Sequence, residues 1–421
     1  MLVRRSRFRF AMRVAVGFLL TLSLELWAAP KEKVLHSFGD AKDGSSPNAS
    51  LVFDAAGNLY GTTEGGGSSY NGTVFELSPS QDGKWTEKVI YDFAGGEDGR
   101  QPESSLVFDA SGNLYGTTAY GGPSGEGMVF RLTPSPPGWV KTVIYGFGSH
   151  ENDGAKPTGP LVFDAAGNLY GTTVYGGSPG GSDSGGTVFQ LVPPPQGNGL
   201  WTENILCAFG SSCLNGKHPW GGVVLDAAGN LYGTTRQGGI NSFICYEGCG
   251  TVFEIQRVGS SWKPRNLYHF KGGGNAGWPN SGVVLDAKGD IYGTASEGGA
   301  ASGIVFRLRQ MNGGWKESVI YSFCTHRRCS DGNWPWASLA FDLQRNLYGT
   351  TLVGGNFFLH GTVFKLRPTR TGWEETVLYS FGNTDGDGPT AGVVLDNQGA
   401  IFGVTREGGK FGGGVVFQIT P

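Results

Sequence analysis

Four tryptophans in the second half of the chain have the side-chain chemistry to bind a ligand by stacking. Each of them stands directly beside a proline: Trp220, Trp278, Trp334 and Trp336. His218 precedes the first of these prolines. An exposed indole offers a flat apolar face and a polar N–H, which suit a sugar ring or a peptide. We therefore treat these five as candidate ligand-binding residues. The alternative is that each indole folds inward and fills space between structural units.

A second group of side chains could bind a cation. Asn383, Asp385 and Asp387 place oxygen ligands at every second position, as in the first half of a calcium-binding loop. The acidic residue that would close such a loop is missing, because Val394 stands at that position. The same pattern recurs seven times along the chain: aspartate or asparagine, then glycine or alanine, then two residues and a proline. This recurrence favours a structural turn before the proline. Calcium at these three residues is therefore a hypothesis beside a structural role.

Catalytic motifs are absent from the sequence. Its six histidines fall at different places, and there is no Gly-x-Ser-x-Gly elbow, Walker-type loop or His-Glu-x-x-His. Carboxylates suited to glycoside chemistry are plentiful in the loops, but sequence does not give their separation. We expect no cofactor and a binding role rather than catalysis.

The elements that must position these residues form a tandem repeat. The segment LVFDAAGNLYGTT at residues 51–63 returns six more times with small changes. The matching aspartates are Asp54, Asp109, Asp164, Asp226, Asp286, Asp342 and Asp396. Their spacing runs from 54 residues (342 to 396) to 62 residues (164 to 226). Self-similarity at such a period indicates a propeller or a solenoid.

The alternating apolar pattern and the turn residues of each unit predict four short strands, which we call a to d. In the first unit they cover residues 51–54, 59–63, 73–77 and 85–93. There are seven a–b–c units but only six internal copies of strand d. The missing copy stands at the front, where KEKVLHSF at 31–38 matches TEKVIYDF at 86–93. The sequence therefore predicts an all-β, seven-bladed β-propeller of four-stranded antiparallel blades, whose N-terminal strand completes the last blade and closes the ring.

The direction of the strands alternates, so the loops divide between two faces. The a–b turns are short, whereas the b–c and d–a loops are longer and more varied, and their shared face is the better candidate for binding. The aspartate of each a–b turn is expected to accept hydrogen bonds from its own turn. A glycine at the centre of each strand b, Gly61 in the first unit, is expected to let neighbouring blades approach closely.

The N-terminus resembles a secretory signal. An arginine-rich start is followed by an apolar run at 14–24 and then by Ala28 and Ala29. We predict a signal peptide at residues 1–29 and one propeller domain at 30–421; the alternative is an uncleaved anchor. We expect export to the periplasm or outside the cell, as a monomer without membrane contact beyond the signal.

The charge of the remaining chain excludes one class of partner. The chain carries 32 basic and 35 acidic residues, and residues 1–29 contain five arginines and one glutamate. Removing them leaves 27 basic and 34 acidic residues, a net charge of −7. Because nucleic-acid binding needs a basic surface, we expect no nucleic-acid partner.

Six cysteines fall in three close pairs. They are Cys207 and Cys213, Cys245 and Cys249, and Cys324 and Cys329. An even number at short spacing in an exported chain predicts three local disulfides. The alternative is a metal site formed by Cys324, His326 and Cys329, although a fourth ligand at the usual spacing is missing.

The pattern Asp-x-x-Gly-Asn-Leu-Tyr-Gly-Thr-Thr, then Gly-Gly, then Gly-Thr-Val-Phe resembles the GloVer (Gloeo/Verruco) tandem repeat of exported bacterial proteins. It is more distantly similar to NHL-type propeller repeats. The resemblance covers about the whole chain after residue 29 and implies export, with no established biochemical activity. The later copies depart from the pattern: Asp290 replaces asparagine, Arg345 replaces glycine and Ala400 replaces asparagine.

We therefore expect an exported binding or scaffold module for carbohydrate or protein, which binds through the face of the d–a and b–c loops. One alternative is a polysaccharide-acting enzyme, a hydrolase or a lyase, with loop carboxylates as catalysts. The other alternative is a structural surface protein that binds no small ligand.

Overall fold

The structure is a computed structural model. It describes residues 30–39, 42–178, 184–195, 199, 201–210, 213–299, 302–357 and 359–420. The predicted signal peptide at 1–29 lies outside the described residues. Among the described residues, no helix is both long enough and apolar enough to cross a bilayer.

Seven antiparallel sheets, each with the strand order a-b-c-d, form a seven-bladed β-propeller, as predicted. The a strands are Val52–Phe53, Val107–Phe108, Val162–Phe163, Val224–Leu225, Val284–Leu285, Ala340–Phe341 and Val394–Leu395. The b strands are Leu59–Gly65, Leu114–Thr118, Leu169–Thr173, Leu231–Thr235, Ile291–Ala295, Leu347–Val353 and Ile401–Thr405. The c strands are Thr73–Pro79, Met128–Ser135, Thr187–Val192, Thr251–Val258, Ile304–Met311, Thr362–Pro368 and Val415–Thr420.

The d strands lie at the outer edge of the blades. Those of blades 1 to 6 are Trp85–Asp92, Gly138–Gly146, Thr202–Ala208, Ser261–His269, Gly314–Ser322 and Trp373–Ser380. Short strands in the d–a and b–c loops are Ser45–Pro47, Gly154–Ala155, Tyr175–Gly176, Gly216–Lys217, Gln237–Gly238 and Asn333–Pro335. Two 3-10 turns, Gly96–Asp98 and Arg327–Cys329, complete the described elements.

The N-terminal strand Lys31–Ser37 is strand d of blade 7, which confirms the predicted closure. It pairs antiparallel with Val415–Thr420, so that Lys31 faces Thr420 and Ser37 faces Val415. The next residue, Phe38, donates its backbone N–H to the Gly414 carbonyl at 2.9 Å. Pairing the two ends of the chain covers the edge of strand c that would otherwise stay open.

Neighbouring blades are joined by pairs of phenylalanines. In each pair, one ring follows strand d of a blade and the other comes from strand c of the next blade. Phe38 and Phe75 form the pair between blades 7 and 1, with ring centres 5.1 Å apart, and both are fully buried. The other pairs are Phe93 and Phe130, Phe147 and Phe189, Phe209 and Phe253, Phe270 and Phe306, Phe323 and Phe364, and Phe381 and Phe417. Each blade thus buries its apolar faces against its neighbours.

The glycine of strand b has a different partner from the one we expected. A Cβ atom at Gly61 would lie 2.5 Å from the ring of Phe75 and 2.9 Å from Leu51, both in the same blade. The glycine therefore makes room for the strand-c phenylalanine of its own blade, and that ring then reaches the neighbouring blade. The expectation of direct blade-to-blade approach at this glycine was wrong.

The aspartate of each a–b turn caps its own turn, as expected. In blade 3, Asp164 Oδ1 accepts the backbone N–H groups of Ala166 and Asn168, each at 2.9 Å. Asp164 Oδ2 accepts the Asn168 amide at 2.8 Å and the Tyr170 hydroxyl at 2.9 Å. The aspartate therefore recurs in the motif because it stabilises the a–b turn of its own blade.

The three predicted disulfides are present. Since Cys324 and Cys329 are bonded to each other, the alternative of a metal site with His326 was wrong.

Cys207 occupies a strand-d position where five other blades carry tyrosine. In four of those blades the tyrosine hydroxyl donates to the aspartate of the following loop. The bond from Cys207 to Cys213 ties strand d to its loop without that hydrogen bond.

Candidate functional site

The seven d–a loops meet around the central axis, and their ends line an opening that we call the mouth. One residue follows the proline of each loop: Asn48, Glu103, Thr158, Trp220, Asn280, Trp336 and Thr390. Above this ring lies a cavity of about 530 Å³, whose wall also includes Glu64, Lys156, Asp387 and Arg406. A concave opening of this volume is within the usual range for small-ligand sites.

One backbone geometry repeats in all seven loops. The residue before each proline has a positive φ between 54° and 62°: Ser46, Gln101, Lys156, His218, Trp278, Trp334 and Gly388. Its N–H donates to a carbonyl in the b–c loop of the preceding blade, for example from Lys156 to Glu126 at 2.8 Å and from His218 to Gly185 at 2.7 Å. Because an αL conformation is unfavourable for a side-chain-bearing residue, these hydrogen bonds must hold it. The loops form a common frame on which only the side chains differ.

Aromatic rings and cations alternate along one side of the mouth. The row consists of Tyr120, Lys156, Trp220, Arg236 and Trp336, and we call it the aromatic–cation row. Lys156 Nζ lies 5.0 Å from the ring centre of Tyr120 and 5.5 Å from that of Trp220. Arg236 Cζ lies 5.7 Å from the ring centre of Trp220 and 6.0 Å from that of Trp336. All these separations suit cation–π attraction.

The row is assembled from four blades. Tyr120 and Arg236 follow strand b of blades 2 and 4, whereas Lys156, Trp220 and Trp336 belong to the loops that enter blades 3, 4 and 6. All five side chains are half-buried. The approach of Arg236 to Trp336 depends on the ring being closed, because residues of blades that are not neighbours meet only near the axis.

Acidic groups occupy the other side of the mouth. Arg406 Nη2 lies 3.0 Å from Glu64 Oε2, and His360 Nδ1 lies 2.9 Å from Asp387 Oδ2. Glu103 lies between the two sides, and burial raises the pKa of its carboxyl group, an effect that the charge of Lys156 opposes. A buried acid of this kind can stay protonated at a pH where ordinary carboxylates are charged.

The four candidate tryptophans lie in different environments in the structure. Trp220 and Trp336 follow their prolines and line the mouth. Trp278, before its proline, packs against the core cluster between blades 4 and 5, so the packing interpretation holds for it. Trp334 is 42% exposed and remains open to solvent. Sequence alone does not distinguish these positions, because the structural consequence of standing before or after the proline follows from the loop conformation.

His218 lies near the aromatic–cation row without belonging to it. Its Nδ1 is 2.7 Å from Gln237 Oε1, and its ring contacts the edge of Tyr175 at 5.3 Å. Burial lowers the pKa of His218, so the neutral imidazole is favoured. A neutral imidazole can exchange hydrogen bonds with a ligand hydroxyl.

The proposed calcium ligands have other partners in this structure. The Asp385 carboxylate accepts the Tyr379 hydroxyl and, at 2.8 Å, the N–H of Gly382. Asp387 faces His360, and the backbone of Asn383 pairs with Gly386. Calcium at Asn383, Asp385 and Asp387 stays a hypothesis that would require these contacts to change.

Another cluster of potential metal ligands lies at the outer rim. Ligand atoms of His150, Asp153 and Glu203 all lie within 4.8 Å of one another, and such donors suit zinc. A pair of aspartate and glutamate recurs at three other contacts between blades, and at one of them His36 Nε2 also lies 3.1 Å from Asp43 Oδ2. We therefore interpret this cluster as part of the contact between blades 2 and 3.

The opposite face has grooves between blades rather than a distinct site. One cavity, of about 470 Å³, lies between blades 5 and 6 and includes Tyr292, Arg307 and Trp373. A second, between blades 2 and 3, is lined by the equivalent repeat positions, among them Tyr115 and Arg131. Because matching positions line both grooves, we attribute them to the architecture.

Sequence analysis did not identify Tyr120, Lys156, Arg236 or Glu103. Alignment of the repeats on the loop proline would have placed Lys156 with His218 and Glu103 with Trp220. The positions after strand b carry no such mark, so Tyr120 and Arg236 could be found only from the tertiary structure.

Two solved structures with different descriptions have the same fold as this chain. Polysaccharide lyase Uly1 is 11% identical, with 92% of each chain covered and a TM-score of 0.52. A Bacteroides uniformis protein described as a 6-phosphogluconolactonase is 13% identical, with 83% of this chain and 88% of that chain covered and a TM-score of 0.50. A Thermus thermophilus protein described as an oxidoreductase (glucose dehydrogenase) is 16% identical, with coverage of 93% and 100% and a TM-score of 0.44. At these identities the similarity concerns the fold alone.

Sequence comparison identifies the repeat itself. No curated relative matches the chain. The family model of the Gloeobacter/Verrucomicrobia repeat matches residues 22–246 and 245–421, which together include all seven blades. The chain therefore belongs to the Gloeobacter/Verrucomicrobia repeat family.

Proposed function

We propose that the protein is an exported carbohydrate-binding module and that the mouth is its binding site. The observation that carries the proposal is the placement of Trp220 and Trp336 at one cavity, with Arg236 between them. Indole faces stack on the apolar faces of sugar rings, and a cation between two indoles holds their orientation.

The polar residues of the mouth also favour a sugar. Amides and hydroxyls surround the opening: Asn48, Thr158, Asn280 and Thr390. Such groups both donate and accept hydrogen bonds, as the hydroxyls of a sugar require. A protein partner is less well matched, because a stable protein interface needs about 800 Å² on each side and the site is a concave opening.

A second candidate function is cleavage of a polysaccharide. Glu103 lines the same cavity as both tryptophans, and burial raises its pKa, as a general acid requires. Glu64, which forms an ion pair with Arg406, is a second carboxylate that lines this cavity. A Glu103→Gln variant that still binds a glycan but no longer releases reducing ends from it would support this function. Unchanged release would count against Glu103 as the acid.

Binding is tested on an array of neutral and acidic oligosaccharides with the purified chain from residue 30. We expect binding to at least one class, and we expect Trp220→Ala and Trp336→Ala to weaken it by about tenfold or more. Trp334→Ala is the matched control, because that indole is exposed but does not line the mouth. Absence of binding to every glycan would contradict the proposal and favour the structural role.

Export is tested separately. We expect residues 1–29 to direct the chain across the inner membrane, and the three disulfides are consistent with an oxidising compartment. Fractionation of cells that express the full chain should recover it outside the cytoplasm. A variant without residues 2–29 should remain in the cytoplasm with free thiols.

A further inference from the structure

We infer that the glycan bound at the mouth is acidic, and that Arg236 binds its carboxylate or sulfate group. This inference rests on the proposed function and identifies the chemical class of its ligand. It follows from how the cations of the mouth are partnered, and it concerns the side of the mouth formed by blades 3 and 4.

Arg236 is a cation whose neighbours are aromatic. Its guanidinium lies near Trp220 and Trp336, and among the described residues no carboxylate forms a salt bridge with it. A half-buried guanidinium stays charged and has five N–H donors, which indole faces cannot satisfy. Charged groups withdrawn from water are normally paired, so this half-buried cation, next to two tryptophans that line the cavity, is suited to an anionic ligand.

Arg406 shows what the same position looks like when a counter-ion is present. Both arginines directly follow the last threonine of strand b, after Thr235 and Thr405. Arg406 is paired with Glu64 at 3.0 Å, but Arg236 has no corresponding acid. The repeat therefore supplies two arginines in equivalent places, one neutralised by the protein and one available to a ligand.

Charge across the mouth is unevenly distributed. Lys156 and Arg236 lie along the aromatic–cation row, whereas the opposite wall of the cavity holds Glu64, which is paired with Arg406, and the further acids Asp387 and Glu407. Glu103 is the acid whose charge acts on Lys156, and burial raises the pKa of its carboxyl group. An acidic sugar is thus attracted to the row and repelled from the opposite wall.

The chemistry of the row matches one sugar residue. A guanidinium binds a carboxylate or sulfate through two parallel hydrogen bonds, and an indole beside it can stack on the sugar ring that carries the anion. Trp220 or Trp336 would supply the stacking face, and Arg236 the anion contact. A neutral sugar would gain only the stacking contribution.

The test is isothermal titration of the chain from residue 30 with three probes of similar length. These are an oligogalacturonate, a sulfated κ-carrageenan oligosaccharide and cellohexaose. We expect at least one acidic probe to bind about tenfold or more tightly than cellohexaose, with affinity falling as salt rises. The acidic probe that binds identifies the anion as carboxylate or sulfate.

Two arginine variants make the comparison specific. Arg236→Gln should weaken the acidic probe by about 10- to 100-fold, because a charged hydrogen-bonded contact is lost. Arg367→Gln is the control and should change it by less than about threefold, since that exposed arginine pairs with Glu374 at the surface and does not line the mouth. Arg236→Lys keeps the charge without the planar fork and should fall between wild type and Arg236→Gln. Melting temperatures of all variants show whether the fold is intact.

The outcomes separate the two proposals. Equal binding of cellohexaose and the acidic probes, or no effect of Arg236→Gln in a folded variant, would overturn the acidic ligand while leaving carbohydrate binding in place. Failure of all three probes and of the glycan array would overturn carbohydrate binding itself.

Discussion

Glu203 and Asp153 come from two different blades and share the hydroxyl of Tyr145. The Tyr145 oxygen lies 3.0 Å from Asp153 Oδ2 and 3.0 Å from Glu203 Oε2. The side chain of Asp153 is 1% exposed and that of Glu203 is 3% exposed. Burial, together with the Asp153 charge, raises the pKa of Glu203 to about 7. When Glu203 is protonated, it can donate to the tyrosine oxygen, which donates in turn to Asp153.

The same relationship recurs around the ring. A strand-d glutamate with a pKa raised to about 7 faces the loop aspartate of the preceding blade in three further pairs. They are Glu87 and Asp43, Glu375 and Asp331, and Glu32 and Asp385. Blade 2 carries Lys141 at this position, and it forms a salt bridge with Asp98 instead. Among the described contacts between blades, four thus hold such an acid pair and one holds an ion pair.

The free energy of unfolding should therefore fall as the pH rises from about 4.5 to about 7. Burial and then the charge of Asp331 raise the pKa of Glu375 from 4.5 to about 7. A raised pKa contributes stability that is complete below pH 4.5 and is lost as pH rises towards 7, because only the folded state holds the proton in that window. We expect Glu375→Gln to lose less stability than the wild type between pH 5 and pH 8 in urea unfolding.

The neighbouring residue is the control for this prediction. Glu374 is 56% exposed and pairs with Arg367 at the surface. Glu374→Gln should leave the pH dependence of the wild type unchanged. Identical pH profiles for Glu375→Gln and the wild type would show that the pair does not hold a proton.

Closure of the ring predicts equal contributions from terminal and internal contacts. Phe38→Ala removes a fully buried ring and should lower the free energy of unfolding by about 3–5 kcal/mol. Phe147→Ala, at an internal contact between blades, should cost a similar amount. Lys31→Ala is the control, because that side chain is exposed. If Phe38→Ala cost much less than Phe147→Ala in chemical denaturation, the closing strand would not be firmly docked.

Turn aspartates should differ according to their number of partners. Asp164 accepts four hydrogen bonds, whereas Asp396 accepts two, from Gln398 and Ala400. We expect Asp164→Ala to reduce stability by about 2 kcal/mol and Asp396→Ala by about 1 kcal/mol. Neither should alter glycan affinity, since the a–b turns lie on the face opposite the mouth. Equal losses in thermal unfolding would contradict this account of the motif.

The two tryptophans that precede prolines should respond differently to removal. Trp278 packs against buried residues between blades 4 and 5, so Trp278→Ala should cost about 2–3 kcal/mol. Trp334 is 42% exposed, and Trp334→Ala should change stability by less than about 0.5 kcal/mol. Calorimetric melting of both variants tests this. A large loss for Trp334→Ala would mean that its ring supports the loop.

The architecture could be predicted almost completely, whereas the site could be predicted only in part. Counting strands identified Lys31–Ser37 as the last strand of blade 7, because each blade needs four strands and one was missing. The candidate tryptophans were chosen from their loops, but Trp278 packs against the core between two blades, whereas Trp336 lines the mouth. Arg236 was overlooked, since it follows an ordinary strand b and has no local pattern that marks it.

By itself, the sequence determined the repeat, the strands, the turns and the closed ring of seven. These follow from strand alternation, turn residues and the number of copies, which are local properties that each unit carries. Only the tertiary structure decided which side chains share the mouth. Arg236 and Trp336 belong to blades that are not neighbours, and they meet because the closed ring brings every loop to one axis. The direction of each side chain there depends on the αL conformation before the proline, which hydrogen bonds from the preceding blade stabilise.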